Sequence, residues 1–313
     1  MIKHTFIEEM KSGISVDDYY VLAKKSDKTT KNGDPYLRLT LSDSTGRIDA
    51  MMWSDSIEKW GNDFEVNTVV RIRGKVGEFD SKPQLTIERI GVADEANYSP
   101  TWFLPLSPVS VEEVIDKIKK HCDSITNASL KELANKFFNS EYFDDFFHAP
   151  GAANLHHAYI GGLAVHTLGV MDICCDFTNR YSTINKDLLL VAALLHDIGK
   201  TVENSWAVTF SRTPEGDLLG HIVQGVRIVD SLLSGIELEE KLRLNLEHCL
   251  VSHHGYYEYG SPKLPMTREA LALHLADYAD SHFEEYDMLL RDIDEGACTG
   301  SIRFLEGRKL YNI

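Results

Sequence analysis

What the 313-residue chain lacks narrows it first. Its five cysteines, Cys122, Cys174, Cys175, Cys249 and Cys298, form no CxxC pair and are odd in number. That argues against a disulfide scaffold and a thiolate metal knuckle, and predicts reduced thiols. Cys174 and Cys175 read as small apolar fillers of a helix rather than as a redox pair. No apolar run approaches the roughly 18 residues that a membrane span requires, and the opening Met1-Ile2-Lys3-His4 shows none of the apolar stretch of a secretory leader. The expected setting is therefore cytoplasmic, with no membrane partner. An excess of positive charge is missing too, because the formal net charge is −16. This is awkward for a binder of nucleic acid, whose affinity comes largely from neutralising phosphates with Lys and Arg. The deficit is uneven: residues 1–95 hold 14 Lys and Arg against 17 Asp and Glu, net −3, which leaves −13 for the rest. Bound cations could offset part of the charge in that acidic portion.

What is present is ordinary globular composition, 43% hydrophobic and 26% charged, over a length that allows two cores. From Asp18 to Val92 the pattern is one of short apolar or alternating runs: Tyr19 to Ala23, Tyr36 to Leu41, Ile48 to Trp53, Val69 to Val76 and Gln84 to Ile90. The turn-forming stretches Asn32-Gly33-Asp34-Pro35 and Asp43-Ser44-Thr45-Gly46 separate strands, and Ser56 to Phe64 predicts a short helix. Three strands, a helix and two strands suit a small β-barrel of the OB-fold type, so residues 1–95 are expected to form a nucleic-acid-binding domain. Pro100, Pro105 and Pro108 mark residues 96–110 as a linker. Beyond it, residues 111–313 follow helical period in Val111 to His121, Ser129 to Phe138, Ala158 to Phe177, Asp187 to Ile198, Leu219 to Leu233, Leu238 to Ser252 and Arg268 to Phe283. The expected fold class is thus multidomain: a barrel, then an all-α bundle with a short C-terminal extension.

Ten of the 13 histidines lie between His156 and His282, several in apolar helices where an unpaired imidazole is costly to bury. The most informative segment is Leu194-Leu195-His196-Asp197-Ile198-Gly199-Lys200, in which an apolar helix ends by presenting His, Asp and Lys. Gly199 is expected to let the chain turn away. Adjacent helical residues point about 100° apart, so His196 and Asp197 can line one cavity with the carboxylate placed to bridge two ions. His166, His221, the pair His253-His254, and Asp277 supply similar groups from other helices. One such histidine alone is more often a hydrogen-bonded core residue, and it is the ordered set of seven that points to metal. Lys200, one turn beyond His196, is placed to stabilise charge on a phosphoryl oxygen, against the simpler reading of a solvated lysine at a helix end. His157 is a candidate for contacting substrate or protonating a leaving oxygen. His156, His274, His282 and Asp280 read as supporting or structural. In the barrel, Tyr36, Trp53 and Phe79 are candidates to stack on bases, and Lys24, Lys25, Lys28, Lys31, Arg71 and Arg73 to meet phosphates.

In His166, His196-Asp197 and Asp277 the sequence resembles the HD-domain phosphohydrolase superfamily, whose helical fold carries an ordered His, His-Asp, Asp signature. His221 and His253-His254 are similar to the subgroups that hold two metal ions. With a barrel in front, the chain resembles over nearly its full length the YhaM-type 3′-to-5′ exoribonucleases, the approach Gly161-Gly162-Leu163 included. The resemblance implies one ion on His166, His196, Asp197 and Asp277 and a second on Asp197, His221, His253 and His254. Imidazole and carboxylate donors suit transition metals, with Mn first by resemblance and Fe, Co, Zn or Mg as alternatives. Single-stranded RNA is the implied substrate, cut to 5′-mononucleotides, with single-stranded DNA a second candidate; a homo-oligomer is compatible with the sequence. The competing readings are hydrolysis of a small nucleotide or cyclic dinucleotide with a regulatory barrel, and a non-catalytic nucleic-acid binder.

Overall fold

A computed structural model describes residues 4–80, 82–152 and 157–313. The chain divides into two compact units, one made of Met1–Leu106 with Trp206–Phe210 and the other of Ser107–Ser205 with Ser211–Ile313. Among the described residues no helix is long and apolar enough to cross a membrane.

In the first unit β1 (Ser15–Thr29), β2 (Pro35–Asp43), β3 (Gly46–Trp53), β4 (Val69–Phe79) and β5 (Lys82–Val92) close into a barrel in the order β1-β2-β3-β5-β4. All pairs are antiparallel except β3 with β5, which run parallel over the three partners Asp49–Gln84, Ala50–Leu85 and Met51–Thr86. The alternation that marked the strands does the packing: Leu37, Leu39 and Leu41 of β2 turn inward to meet Ile48, Ala50 and Met52 of β3 and Leu85, Ile87 and Ile90 of β5. Burying one such aliphatic side chain contributes roughly 1.5–3 kcal/mol. Helix α1 (Ser54–Trp60) follows β3 and stops at Gly61, earlier than the expected Phe64. Strand β1 is far longer than the run Tyr19 to Ala23, because its polar half pairs on with β2 as far as Thr29–Pro35. Residues 93–106 do not trail away. Tyr98, Trp102 and Phe103 pack with Tyr19, Val21 and Val69, joined by Val208 of the returning segment.

The second unit is helical: α2 (Val111–Asp123), α3 (Ala128–Phe138), α4 (Tyr142–His148), α5 (Gly162–Arg180), α6 (Lys186–Leu195), α7 (Lys200–Glu203), α8 (Pro214–Leu232), α9 (Glu240–Ser252) and α10 (Arg268–Leu290). A two-residue β-hairpin, Asn204–Ser205 with Ser211–Arg212, interrupts it after α7. Side-chain caps fix several starts: Ser110, Asn127, Asn185, Thr213 and Thr267 each accept from a backbone N–H in the first turn of the helix they precede. Every residue of α6 from Leu188 to Leu195 is fully buried, as expected of a helix apolar all round, and it packs against α5, α9 and α10. The centre of the bundle is therefore α6, and its C-terminal end delivers His196 and Asp197 into the interior.

Candidate metal centre

His196 and Asp197 occupy the turn between α6 and α7. Asp197 Oδ2 lies 3.4 Å from His196 Nε2 and 3.6 Å from His166 Nε2 of α5, while its Oδ1 lies 3.5 Å from His221 Nε2 of α8 and 3.6 Å from His253 Nε2 just past α9. One carboxylate thus faces four imidazoles from four directions. Asp277 of α10 approaches His166 Nε2 at 3.2 Å, and His254 Nε2 lies 3.2 Å from His221 Nε2. All seven candidate ligands are gathered around one point. Six of them fall into two groups that overlap at Asp197, His166, His196 and Asp197 on one side and Asp197, His221, His253 and His254 on the other, while Asp277 stands beside the first.

The partners of the outward-facing nitrogens leave the inner Nε2 atoms turned toward the centre. His196 Nδ1 donates to the Ala193 carbonyl at 2.8 Å, His253 Nδ1 to Leu250 at 2.7 Å and His254 Nδ1 to Tyr259 at 2.7 Å. His166 Nδ1 pairs with Asp280 Oδ2 at 2.6 Å, and His221 Nδ1 faces Glu203 Oε2 at 3.2 Å. A neutral imidazole whose Nδ1 carries the proton offers only a lone pair at Nε2. The Nε2 atoms of His166 and His196 lie 3.3 Å apart, a spacing that only a shared proton or a cation between them satisfies. Among the described residues, buried Asp197 Oδ1 and His253 Nε2 have no hydrogen-bond partner. Orphaned acceptors of this kind are costly in a protein interior and ordinary around a metal ion. The residues present fit divalent cations.

Electrostatics agree. Burial pushes His253 down, and burial with the neighbouring His253 and His221 takes His254 down to about 3, so both are neutral at pH 7. Burial alone would raise Asp197, but Lys200 and His196 outweigh it and hold the carboxyl well below its usual range. Burial would lower His166, yet hydrogen bonds to Asp277 and Asp280 raise it to about 9; the proton that Asp277 draws onto Nε2 marks where a cation would sit.

A cavity of about 400 Å³ opens onto this cluster and is lined by Asp197, His221, His254 and Asp277, together with Lys200 and Arg212. Lys200, expected to stabilise charge on a phosphoryl oxygen, is buried rather than solvated, with Nζ 2.7 Å from Asp197 Oδ2 and donating to the Gly151 carbonyl, so its charge is already shared with that carboxylate. His157 departs from expectation. Both its nitrogens are engaged, Nδ1 with Tyr159 Oη at 2.8 Å and Nε2 with Asp280 Oδ2 at 3.0 Å, and it is not among the residues lining the cavity. It steadies Asp280, which steadies His166. His156 lies outside the described residues. His274 Nδ1 donates to the His253 carbonyl at 2.9 Å, which braces the turn carrying two histidines. Gly199 also differs from its expected role: its backbone is ordinary right-handed helix, and its lack of a side chain matters because a Cβ would sit 1.9 Å from the His221 carbonyl oxygen. Positive φ is needed at Gly220 (+69°), which kinks α8 immediately before His221, and at Gly255 (+78°), directly after His254. Glu203, buried behind His221, was not singled out from the sequence.

In the barrel, Tyr36 and Trp53 pair across β2 and β3 with ring centres 5.3 Å apart, and share a groove with Phe79, Arg38, Asp49, Lys82 and Gln84. Phe79 is 63% exposed, an unusual position for an aromatic side chain without a partner surface. The expected cations are scattered instead. Arg71 and Arg73 both approach Asp17, at 3.0 and 3.7 Å, and Lys25 donates to the carbonyls of Asn62 and Phe64. Lys24, Lys28 and Lys31 are exposed and do not line the groove. Arg38 and Lys82, which do, were missed because a strand arginine paired with Asp49 and a lysine in a tight turn both read as ordinary surface.

Comparison with known proteins gives the following. Residues 163–281 match the HD domain, and residues 20–93 match the OB-fold nucleic acid binding domain. The chain is 32% identical over 297 residues to the 3′-5′ exoribonuclease YhaM of Listeria monocytogenes serotype 4b (strain CLIP80459), covering 94% of each. It is 33% identical over 299 residues to the protein of that name in Listeria welshimeri serovar 6b, again covering 94% of each. Among solved structures, the second OB-fold domain of replication protein A from Methanococcus maripaludis is 19% identical, covering 30% of this chain and 97% of that one with a TM-score of 0.24.

Proposed function

Because the chain belongs to the family of the YhaM 3′-5′ exoribonucleases, we propose that it is a metal-dependent hydrolase that shortens single-stranded RNA from its 3′ end. Water attacks the terminal phosphodiester, the bond from phosphorus to the 3′ oxygen breaks, that oxygen takes up a proton, and a nucleoside 5′-monophosphate leaves. The observation that carries this reading is the set of imidazoles whose Nδ1 atoms are tied to carbonyls or carboxylates while their Nε2 atoms converge on Asp197.

His166, His196, Asp197 and Asp277 would hold one ion and Asp197, His221, His253 and His254 the other, manganese being the first choice by family, ahead of iron, cobalt, zinc or magnesium. Bound there, divalent ions supply activation of water and stabilisation of the charge that grows on the phosphoryl oxygens. The protein's own part is positional. Asp197 would serve both ion sites, and Lys200 holds its Oδ2 by a 2.7 Å ion pair while adding positive charge to the cavity wall. Glu203 and Asp280 fix the rings of His221 and His166, and His157 acts at one remove through Asp280. The barrel groove around Tyr36, Trp53 and Phe79 holds the strand upstream by stacking, with Arg38 and Lys82 beside it.

The test is a 5′-labelled single-stranded oligoribonucleotide incubated with chelator-treated protein and then with manganese. A ladder of progressively shorter labelled products on adding metal, lost in Asp197→Ala, is the expected outcome. An oligonucleotide left intact by metal-loaded protein overturns the reading.

A further inference from the structure

Bound cations relieve the acidity of the catalytic unit only in part, and the cavity has few cations of its own to offer a polyanion. Lys200 is paired with Asp197, and Arg212 stands 4.0 Å from Glu203. Aromatic surface, by contrast, is plentiful. Tyr278 follows Asp277 directly on α10 and is 41% exposed; His282, one turn on, lies over it with ring centres 3.8 Å apart and planes inclined by 24°. His282 Nδ1 meets the Tyr278 carbonyl at 3.0 Å, which fixes the upper ring over the lower. Tyr259, 54% exposed, lines the same cavity. Tyr256 connects the two sides, 5.5 Å from Tyr259 and 5.6 Å from His274, itself 6.0 Å from Tyr278. Large aromatic rings left open to water in a row beside a buried polar cluster call for a planar ligand.

We infer that Tyr278 and His282, with Tyr259 across the cavity, form a stacking platform for the bases at the 3′ end of the strand and that this platform, rather than phosphate pairing, seats the terminal nucleotides. The inference rests on the exoribonuclease reading and deepens it by naming how that site grips its substrate. Stacking accepts any base, because every base presents a π face, so the platform allows digestion without regard to sequence. It also places the last phosphodiester near the metal cluster, since Tyr278 and Asp277 are adjacent in the chain.

The experiment compares a plain oligoribonucleotide with one whose last two positions are abasic ribose spacers, using metal-loaded full-length protein and the variants Tyr278→Ala and Tyr278→Phe. Wild-type protein should show a KM higher by about tenfold or more on the abasic end, Tyr278→Ala should raise KM for the plain oligonucleotide by a similar factor with a much smaller change in kcat, and Tyr278→Phe should restore it. On the abasic end the Ala substitution should cost little more, because the stacking partner is already gone. Equal KM for plain and abasic ends, or a wild-type KM in Tyr278→Ala, overturns the platform while leaving the exoribonuclease reading intact. Failure of the wild-type protein to cut the plain oligonucleotide overturns that reading, and the platform with it.

Discussion

At the scale of single residues the first unit holds a buried histidine of its own, set between two carboxylates. His4 is buried 3.2 Å from Asp18 Oδ1 and 3.5 Å from Asp43 Oδ2, with Trp102 stacked on its ring at 4.9 Å. Burial would lower its pKa, but hydrogen bonds to Asp18 and Asp43 prevail and raise it from 6.5 to about 9, while both carboxyls are held below 3.8. The folded-state pKa of the imidazole lies above the unfolded value, so its stabilisation is complete below pH 6.5 and is lost as pH rises through about 9. The carboxyls act in the opposite sense and lose theirs as pH falls below 3.8. His4→Gln should therefore lower the melting temperature of the barrel most between about pH 5 and 6.5, with the difference from wild type shrinking toward pH 10. Thermal denaturation across that range checks it, and a constant difference contradicts it.

Among elements, α8 approaches the turn after α6 closely enough to exclude a side chain at Gly199. A Cβ on residue 199 would meet the His221 carbonyl oxygen at 1.9 Å and the Gly225 nitrogen at 2.6 Å, both backbone atoms that cannot rotate aside. Gly199→Ala should push α8 outward, costing about 1–3 kcal/mol of stability, and should draw His221 off Asp197. Metal content measured at equilibrium should fall together with the melting temperature; an alanine variant that keeps both refutes the packing argument. The helices themselves were mostly readable, because α6 and α10 declare themselves by apolar period and the ligands come in short ordered motifs. The second half of β1 was not, since Lys24-Lys25-Ser26-Asp27-Lys28 is polar on both faces and signals no strand until β2 is beside it. Nor was α4: its four aromatics fall in i, i+4 pairs, but seven residues are too short a window for that spacing to declare a helix. Glu203 escaped for a related reason: nothing in a Lys-Thr-Val-Glu stretch says that the acid turns inward, and only the fold puts it behind His221. Tyr278 and His282, spaced four apart, look in sequence like any helix face, and their stacking is a property of rotamers rather than of composition.

For the whole molecule, a net charge of −16 is decisive about how strongly salt can act. A protein that gathers six to ten phosphates loses about 10³–10⁵ in affinity between 50 and 200 mM salt. Here Arg71 and Arg73 are committed to Asp17, Arg38 to Asp49 and Lys200 to Asp197, so few counterions are there to be released. The KM for a long oligoribonucleotide should rise by less than about tenfold over that interval, measured as initial rate against substrate at each salt concentration. A steep rise would mean that the exposed Lys24, Lys28 and Lys31 carry more of the binding than the aromatic groove does.

The barrel is closed by only three parallel pairs, Asp49 to Met51 against Gln84 to Thr86, and the aromatic groove lies over them, with Asp49 and Met51 on one bank and Gln84 on the other. Whatever fills that groove spans the weakest hoop of the cylinder and clasps it. A ligand lying there would add contacts between two strands that share only this short seam.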